Sequence, residues 1–380
     1  MNIGIDARFF GPVGKGLGRY TQKLIEHLER TDTENRYFVF IGKENFDDYH
    51  PQSKNFQKVL ADCKWYTLRE QFFMPHMLRK YDLDLVHFPH FNVPIFYFRP
   101  FVITIHDLIL LHFPTVRSST LGPLRYRLKF LAYKLTIFSA IKRARKIITV
   151  SEFTKKDILK HYDVEETKIA VTYEACEERM KNVKENDGII LEKYGIIKPY
   201  ILYVGNAYPH KNLEALVNAF DLFCVQEKGV KLVLVGKEDY FYTRLKQYVK
   251  KRNIKNVVFP GFVDDSDLEV IYSQSLAYVF PSLYEGFGLP PLEAMEKGVP
   301  VASSDHACMK EILEDSAFFF DGKDEKKMTE ALLRICNDEK LRTRLAKQGP
   351  LQAAKYSWSR MACQTQRIYA DLCRGRAKKQ

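Results

Sequence analysis

Short, nearly continuous apolar runs alternate with amphipathic stretches along the whole chain. The runs fall at 2–6, 37–41, 85–88, 101–105, 146–150 and 169–171, and again at 200–204, 231–235, 257–259, 277–280, 299–302 and 318–320. Runs without polar alternation suit parallel strands covered on both faces. Between them, 20–29, 214–226, 242–252 and 292–297 carry helical spacing. This alternation predicts an α/β architecture of open, doubly wound sheets. The strand series restarts near residue 200, after a charged stretch at 177–198 that contains Asn186-Asp187-Gly188 and Lys198-Pro199. The pattern therefore predicts a linker at 177–198 and two Rossmann-like domains, 1–185 and 186–357. Ligands of such sheets bind at the carboxyl ends of strands.

Composition agrees with two ordinary globular domains. The 380 residues are 46% hydrophobic and 28% charged, enough for large cores without a disulfide or metal staple. Cysteines 63, 176, 224, 308, 336, 363 and 373 form no CxxC pair and have no histidine at zinc spacing, so reduced thiols in a cytoplasmic protein are expected. The opening Met1-Asn2-Ile3-Gly4-Ile5-Asp6 has the pattern of a strand rather than a leader. No apolar run is long enough to span a bilayer. The net charge of +12 is uneven. No acidic residue occurs between Asp107 and Glu152, a stretch holding Arg117, Arg125, Arg127, Lys129, Lys134, Lys142, Arg143, Arg145 and Lys146. A basic stripe implies an anionic partner: a nucleic acid, a membrane surface or a phosphorylated small molecule.

The densest chemistry lies at Pro281-Ser282-Leu283-Tyr284-Glu285-Gly286-Phe287-Gly288-Leu289-Pro290-Pro291-Leu292-Glu293-Ala294-Met295. A strand precedes it, a glycine turn follows, and the two prolines suit the first turn of a helix. Amides at such a helix start favour a diphosphate, so Gly286, Phe287, Gly288 and Leu289 become phosphate-binding candidates. Glu285 before the helix and Glu293 within it can accept hydroxyl hydrogen bonds from opposite ends of one extended ligand. Lys211, near the expected start of the 214–226 helix, opposes the dipole unless an anion is present. Gly16 and Gly18 follow the first strand, where a backbone lacking Cβ can approach a phosphate or sugar; a tight structural turn explains them equally well. Gly261-Phe262-Val263 follows the strand at 257–259, and its backbone, with Val263, is a candidate reader of a nucleobase.

The fifteen-residue string resembles the donor-binding motif of glycosyltransferase family 4. Four further segments resemble that family's motifs in order: Gly14-Lys15-Gly16-Leu17-Gly18-Arg19-Tyr20, Thr104-Ile105-His106-Asp107-Leu108, Val150-Ser151-Glu152-Phe153-Thr154, and Tyr203-Val204-Gly205-Asn206 with His210-Lys211-Asn212. The resemblance implies a GT-B fold, with a C-terminal helix (358–380) crossing back to complete the first domain. It implies a retaining transfer from a nucleoside-diphosphate sugar, GDP-mannose before UDP-sugars, to a saccharide or lipid-linked saccharide acceptor in polysaccharide assembly. Glu285 and His106 are then the catalytic candidates, and Lys211 with Asn206 the phosphate side. The family carries an arginine or another residue where Asn206 stands, so one phosphate contact is expected to be lost or supplied elsewhere. Asp107 is expected to orient its loop, Ser151 to cap a helix or touch a ligand, and His87, His90 and Trp358 to pack.

No acidic pair of the kind that holds a metal adjoins the donor string, so no required metal or other cofactor is expected. Two rivals differ in chemistry: an epimerase would turn over the sugar nucleotide without an acceptor, and a basic binding protein would leave Glu285 and Glu293 without a purpose. No nucleic-acid motif accompanies the basic stretch. Its interleaved Leu124, Tyr126, Leu128, Phe130, Leu131, Tyr133, Leu135, Ile137 and Phe138 fit either a core helix pair or a peripheral contact with the inner face of an anionic membrane.

Overall fold

The computed structural model describes residues 1–114, 123–176 and 187–377. By internal contacts the chain forms two units, Met1–Glu174 with Ser357–Gln380, and Ala175–Tyr356. The domain boundary expected at 185/186 and the first half of the expected linker lie outside the described residues. Its second half is not irregular: Asp187–Lys193 is a helix. Lys193 and Tyr194 both bond Asp267, at 2.6 and 2.9 Å, which docks it on the helix Asp265–Ser273.

In the first unit β1 (Asn2–Asp6), β2 (Arg36–Ile41), β3 (Phe56–Leu60), β4 (Leu85–Phe88), β5 (Phe101–Ile105), β6 (Lys146–Thr149) and β7 (Ile169–Val171) form one sheet in the order β3-β2-β1-β4-β5-β6-β7. All pairings are parallel. β3 was not predicted. It is the outermost strand, and its Phe-Gln-Lys-Val-Leu buries only Phe56 and Val59, so it lacks a continuous apolar run. The second unit holds β8 (Tyr200–Val204), β9 (Lys231–Val235), β10 (Val257–Gly261), β11 (Ala277–Phe280), β12 (Val301–Ser304) and β13 (Phe318–Phe320), ordered β10-β9-β8-β11-β12-β13. β12 starts two residues later than the apolar run at 299–302. Val299 is still closing the preceding helix, its N–H donating to Ala294 O at 2.9 Å. The central strands are largely buried; Ile201 and Leu202 are wholly inaccessible, and each such side chain contributes about 1.5–3 kcal/mol.

Both sheets reverse their winding once, between β1 and β4 in the first and between β8 and β11 in the second. Loops diverge at these switch points and leave a crevice at the carboxyl ends of the strands.

The helix Trp358–Ala377 lies in the first unit and packs on the helix Lys15–Thr31, as expected for a crossing C-terminal helix. Trp358 is buried. Tyr369 is fully buried, its hydroxyl 2.6 Å from His87 Nδ1, while His87 Nε2 lies 2.8 Å from the Thr104 hydroxyl. Burial pushes the His87 imidazole down to about 3, the neighbouring His106 adding to the effect. It is therefore a neutral core residue. The helix Pro123–Arg143 buries Ile137, Ala140 and Ile141 and leaves Leu128, Leu131, Leu135 and Phe138 more than half exposed. Spaced by three and four residues, these four form one apolar stripe, flanked by the exposed Arg127, Lys129, Lys134 and Lys142. Among the described residues no helix is long and apolar enough to cross a membrane.

Candidate active site

The second switch point is built from two loops. β8 leads through Gly205 and Asn206 into the turn Pro209–Lys211 and then the helix Leu213–Gln226. β11 leads through Ser282 and Glu285 into the helix Leu289–Glu296. The loops are sewn together by Leu283 N–H donating to His210 O at 2.7 Å, and Asn212 Nδ2 donates to Gly322 O at 2.6 Å. Two core tyrosines fix the first loop from beneath: Tyr203 donates to Asn206 O and Tyr242 to Gly205 O, each at 2.8 Å.

Lys211 and Glu285 meet in this crevice. Lys211 Nζ donates to Glu285 Oε1 at 2.6 Å, and Ser282 Oγ donates to the same oxygen at 2.5 Å. Both side chains of the ion pair are largely buried. Burial alone would raise the Glu285 carboxyl; the charges of Lys211 and His210 and the hydrogen bonds from Lys211 and Ser282 outweigh it and hold the group below the ordinary carboxylate range. His210 is pushed down to about 4, first by burial and then by Lys211. The crevice thus presents one cation and one anion side by side, and an anionic ligand that took the ammonium would free the carboxylate to accept hydroxyl hydrogen bonds. Ser282 and His210 were not among the predicted site residues, although both lie in the quoted motifs.

The other predicted donor-side residues of this unit follow β8, β10 and β11. Gly288 has φ +95° and caps the helix Leu289–Glu296, a conformation that only glycine adopts without strain. Gly286 and Phe287 are buried, Phe287 packing edge-on to Tyr356 at 5.4 Å. Leu289 is half-buried as the first residue of that helix. Glu293, on the same helix, lies 3.4 Å from the Tyr272 hydroxyl. Asn206 Oδ1 accepts from Tyr208 N at 3.2 Å, so its side chain shapes the loop. Gly261, φ +82°, ends β10; beyond it Phe262 is exposed and Val263 buried.

In the first unit the structure refines three expectations. The helix begins at Lys15, so Gly16 and Gly18 are in its first turn and not in a preceding loop. A Cβ at Gly18 would stand 2.0 Å from Gly11 O, whereas one at Gly16 would meet nothing within 4 Å. Close packing therefore accounts for Gly18, and Gly16 alone has no packing reason to be glycine. Both ring nitrogens of His106 are engaged, Nδ1 with Glu174 at 2.9 Å and Nε2 with Pro89 O at 3.0 Å, and its ring packs edge-on to Tyr20. Glu174 was not anticipated. Ser151 caps the helix Glu152–His161 by accepting from Thr154 N, and Asp107 accepts from Ile109 N at 2.9 Å. Among the described residues one trio could hold a metal, His112, Asp157 and His161, with donor atoms within 4.8 Å of one another. It belongs to the first unit, and His112 and His161 already bond Asp157.

Residues 14–176 match the profile described as Glycosyltransferase Family 4, and residues 190–352 that described as Glycosyl transferases group 1. The chain belongs to the GT-B glycosyltransferases. The second match falls within the second unit, and the first ends two residues beyond Glu174, where the first unit's N-terminal part ends. The O-antigen chain mannosyltransferase B of Escherichia coli is 28% identical to this glycosyltransferase over 376 residues, which cover 94% of this chain and 96% of the relative. Sucrose-phosphate synthase from Thermosynechococcus elongatus superposes with a TM-score of 0.77 at 20% identity, over 99% of this chain and all of that one (100%). HepE of Anabaena, solved with UDP-glucose, gives 0.74 at 15% identity, over 97% and 99%. These structural likenesses establish the fold of the glycosyltransferase.

Proposed function

We propose that this glycosyltransferase transfers mannose from GDP-mannose, with retention of the anomeric configuration, to a saccharide or lipid-linked saccharide acceptor. The observation that carries the reading is the Lys211–Glu285 pair at the second switch point. The donor diphosphate takes the Lys211 ammonium and the amides at the start of the helix Leu289–Glu296, which stabilise the charge that develops as it leaves. Glu285, released from Lys211, accepts hydroxyl hydrogen bonds of the donor sugar and stabilises positive charge at its ring. Glu293 holds the ribose, and the backbone at Gly261 and Val263 meets the base. The acceptor hydroxyl approaches on the face the diphosphate leaves from and gives its proton to a phosphate oxygen, with His106 assigned to the donor sugar and the shape of the reaction centre. The mannosyl choice is supported by the name of the Escherichia coli relative; HepE, bound to UDP-glucose, supports a nucleotide-sugar donor. The exposed stripe Leu128, Leu131, Leu135 and Phe138 with its basic flanks supports a peripheral contact with the cytoplasmic membrane face, where lipid-linked acceptors lie.

The test is turnover across GDP-mannose, UDP-glucose and UDP-N-acetylglucosamine, with the product anomer read by NMR. An α-linked mannoside from GDP-mannose is expected. Activity confined to a UDP-sugar overturns the donor, and a β-linked product overturns the mechanism.

A further inference from the structure

The first sheet has its own switch point, between β1 and β4, and five rings converge beside it. Phe9 follows β1, His90 and Phe91 follow β4, and Trp65 and Tyr66 follow β3. Phe9 stacks on Trp65 at 4.4 Å and lies 5.4 Å from His90; Tyr66 meets His90 edge-on at 6.0 Å, and His90 lies 4.0 Å from Phe91. Phe9 is buried at the base, while Tyr66 is 57% exposed at the rim.

Tyr66 sits at φ +61°, a region unfavourable for a bulky residue and kept only where the surroundings over-determine it. They do so here through buried charge. Tyr66 N–H donates to Glu70 Oε2 at 2.7 Å. Glu70 Oε1 accepts from Arg8 Nη2 at 2.5 Å and from Asn92 Nδ2 at 2.8 Å. Arg8 also forks onto Asp6, at 2.8 and 2.7 Å, and donates to Cys63 O at 3.1 Å. Arg8 and Glu70 are completely inaccessible. One buried guanidinium thus ties together the ends of β1 and β3, and through Glu70 and Asn92 the loop after β4, and the network locks the backbone of Tyr66. Asparagine or glycine would adopt that backbone more readily, and holding the loops together needs no ring at 66. An exposed aromatic placed there at a conformational cost, on a rigid support and at a switch point, has the form of a ligand platform.

We propose that Tyr66, with Trp65 and His90, binds a saccharide, stacking the C–H face of a pyranose ring and hydrogen-bonding its hydroxyls. The inference rests on the proposed glycosyl transfer, for which this sugar is the acceptor. A sparse polar group among aromatic walls is the usual make-up of a specific small-ligand site. Burial, and then His106, pushes the His90 imidazole down to about 3; with Nδ1 accepting from Asn92 N–H at 3.3 Å, the neutral ring offers its Nε2–H as a donor to the hydroxyls.

Tyr66→Gly is the decisive variant, because glycine takes φ +61° without strain and the fold is kept. With α-mannobiose as the acceptor probe, Tyr66→Gly should raise the acceptor KM by about tenfold, on the scale of one lost aromatic contact, while the Kd for GDP-mannose stays unchanged. Tyr66→Phe, which keeps the ring, should raise it less. Binding is also read without turnover: α-mannobiose added to donor-free protein should change the tryptophan fluorescence through Trp65, since Trp358 is buried, and Tyr66→Gly should abolish the change. An acceptor KM in Tyr66→Gly equal to that of the parent overturns the platform, as does the absence of any fluorescence change up to about 10 mM, roughly tenfold above a millimolar Kd. If no donor supports transfer yet α-mannobiose still perturbs Trp65 in a Tyr66-dependent way, the transferase reading falls and the platform stands.

Discussion

Lys211 and Glu285, 74 residues apart in the chain, are joined by a 2.6 Å ion pair at the switch point of the second sheet. Each was expected to face a different part of one ligand, the lysine a phosphate and the glutamate a sugar. In the structure each serves as the other's counter-charge, which removes the cost of leaving either buried alone.

Glu285→Gln should preserve the fold and the affinity for GDP while lowering transfer by about 10²–10³-fold, the effect of losing one preorganised electrostatic group. Lys211→Ala should lower transfer comparably and also weaken GDP binding. Glu293→Ala should weaken GDP binding more than it slows turnover. Calorimetry with GDP and steady-state kinetics check all three; near-parental turnover in Glu285→Gln would remove it from the reaction centre.

The two glycines near the start of the helix Lys15–Thr31 should respond oppositely to alanine. Gly18→Ala forces a Cβ against Gly11 O and should lower the melting temperature sharply. Gly16→Ala has open space and should raise stability by about 0.5–1 kcal/mol, the helix preference of alanine over glycine. If Gly16 admits the donor phosphates, the stabilised variant should show a raised KM for GDP-mannose; an unchanged KM would assign Gly16 no part in donor binding.

Acid should destabilise the fold through its buried histidines before its carboxylates matter. His87 and His210 are held near 3 and 4, against 6.5 for an unperturbed histidine. Between those values and 6.5 the unfolded chain binds protons that the folded chain refuses. Their contribution is thus fully present above about pH 6.5 and is lost as pH falls, by up to about 1.4 kcal/mol per pH unit for each group. Glu285, with its carboxyl lowered from 4.5, adds a loss only below that value. Denaturant midpoints between pH 7 and 4 check this, and His87→Gln and His210→Gln should each flatten the slope.

Vesicle binding should depend on both halves of the exposed helix face. Co-sedimentation with anionic vesicles is expected at low salt, with loss at high salt or on neutral vesicles, because basic residues near an anionic leaflet contribute about 1 kcal/mol each within a Debye length. Arg127→Glu with Lys129→Glu should weaken it, and Leu131→Ser with Leu135→Ser should weaken it without changing the salt dependence. No binding to anionic vesicles at low salt would leave the stripe without a membrane role.

Transfer should persist in EDTA, since leaving-group stabilisation is assigned to Lys211 and backbone amides. Abolition by chelation with restoration by a divalent ion would overturn that assignment.

The sequence alone was enough to read most of this architecture. Continuous apolar runs marked twelve strands and their restart near residue 200, because a parallel strand covered on both faces cannot hide polar residues. The string from Pro281 to Met295 marked the loop from β11 into the helix Leu289–Glu296, because a glycine turn followed by prolines is a local signal of a strand-to-helix connection. Only the tertiary structure decided the rest. β3 escaped because an edge strand buries half its side chains. The pairing of Lys211 with Glu285, of His106 with Glu174 and of Arg8 with Glu70 depends on which strands the crossovers bring side by side, and local periodicity carries no information about that order. The same holds for Tyr66: its left-handed backbone is held by Glu70, which is bonded in turn by the guanidinium of Arg8, 58 positions before Tyr66 and just after β1.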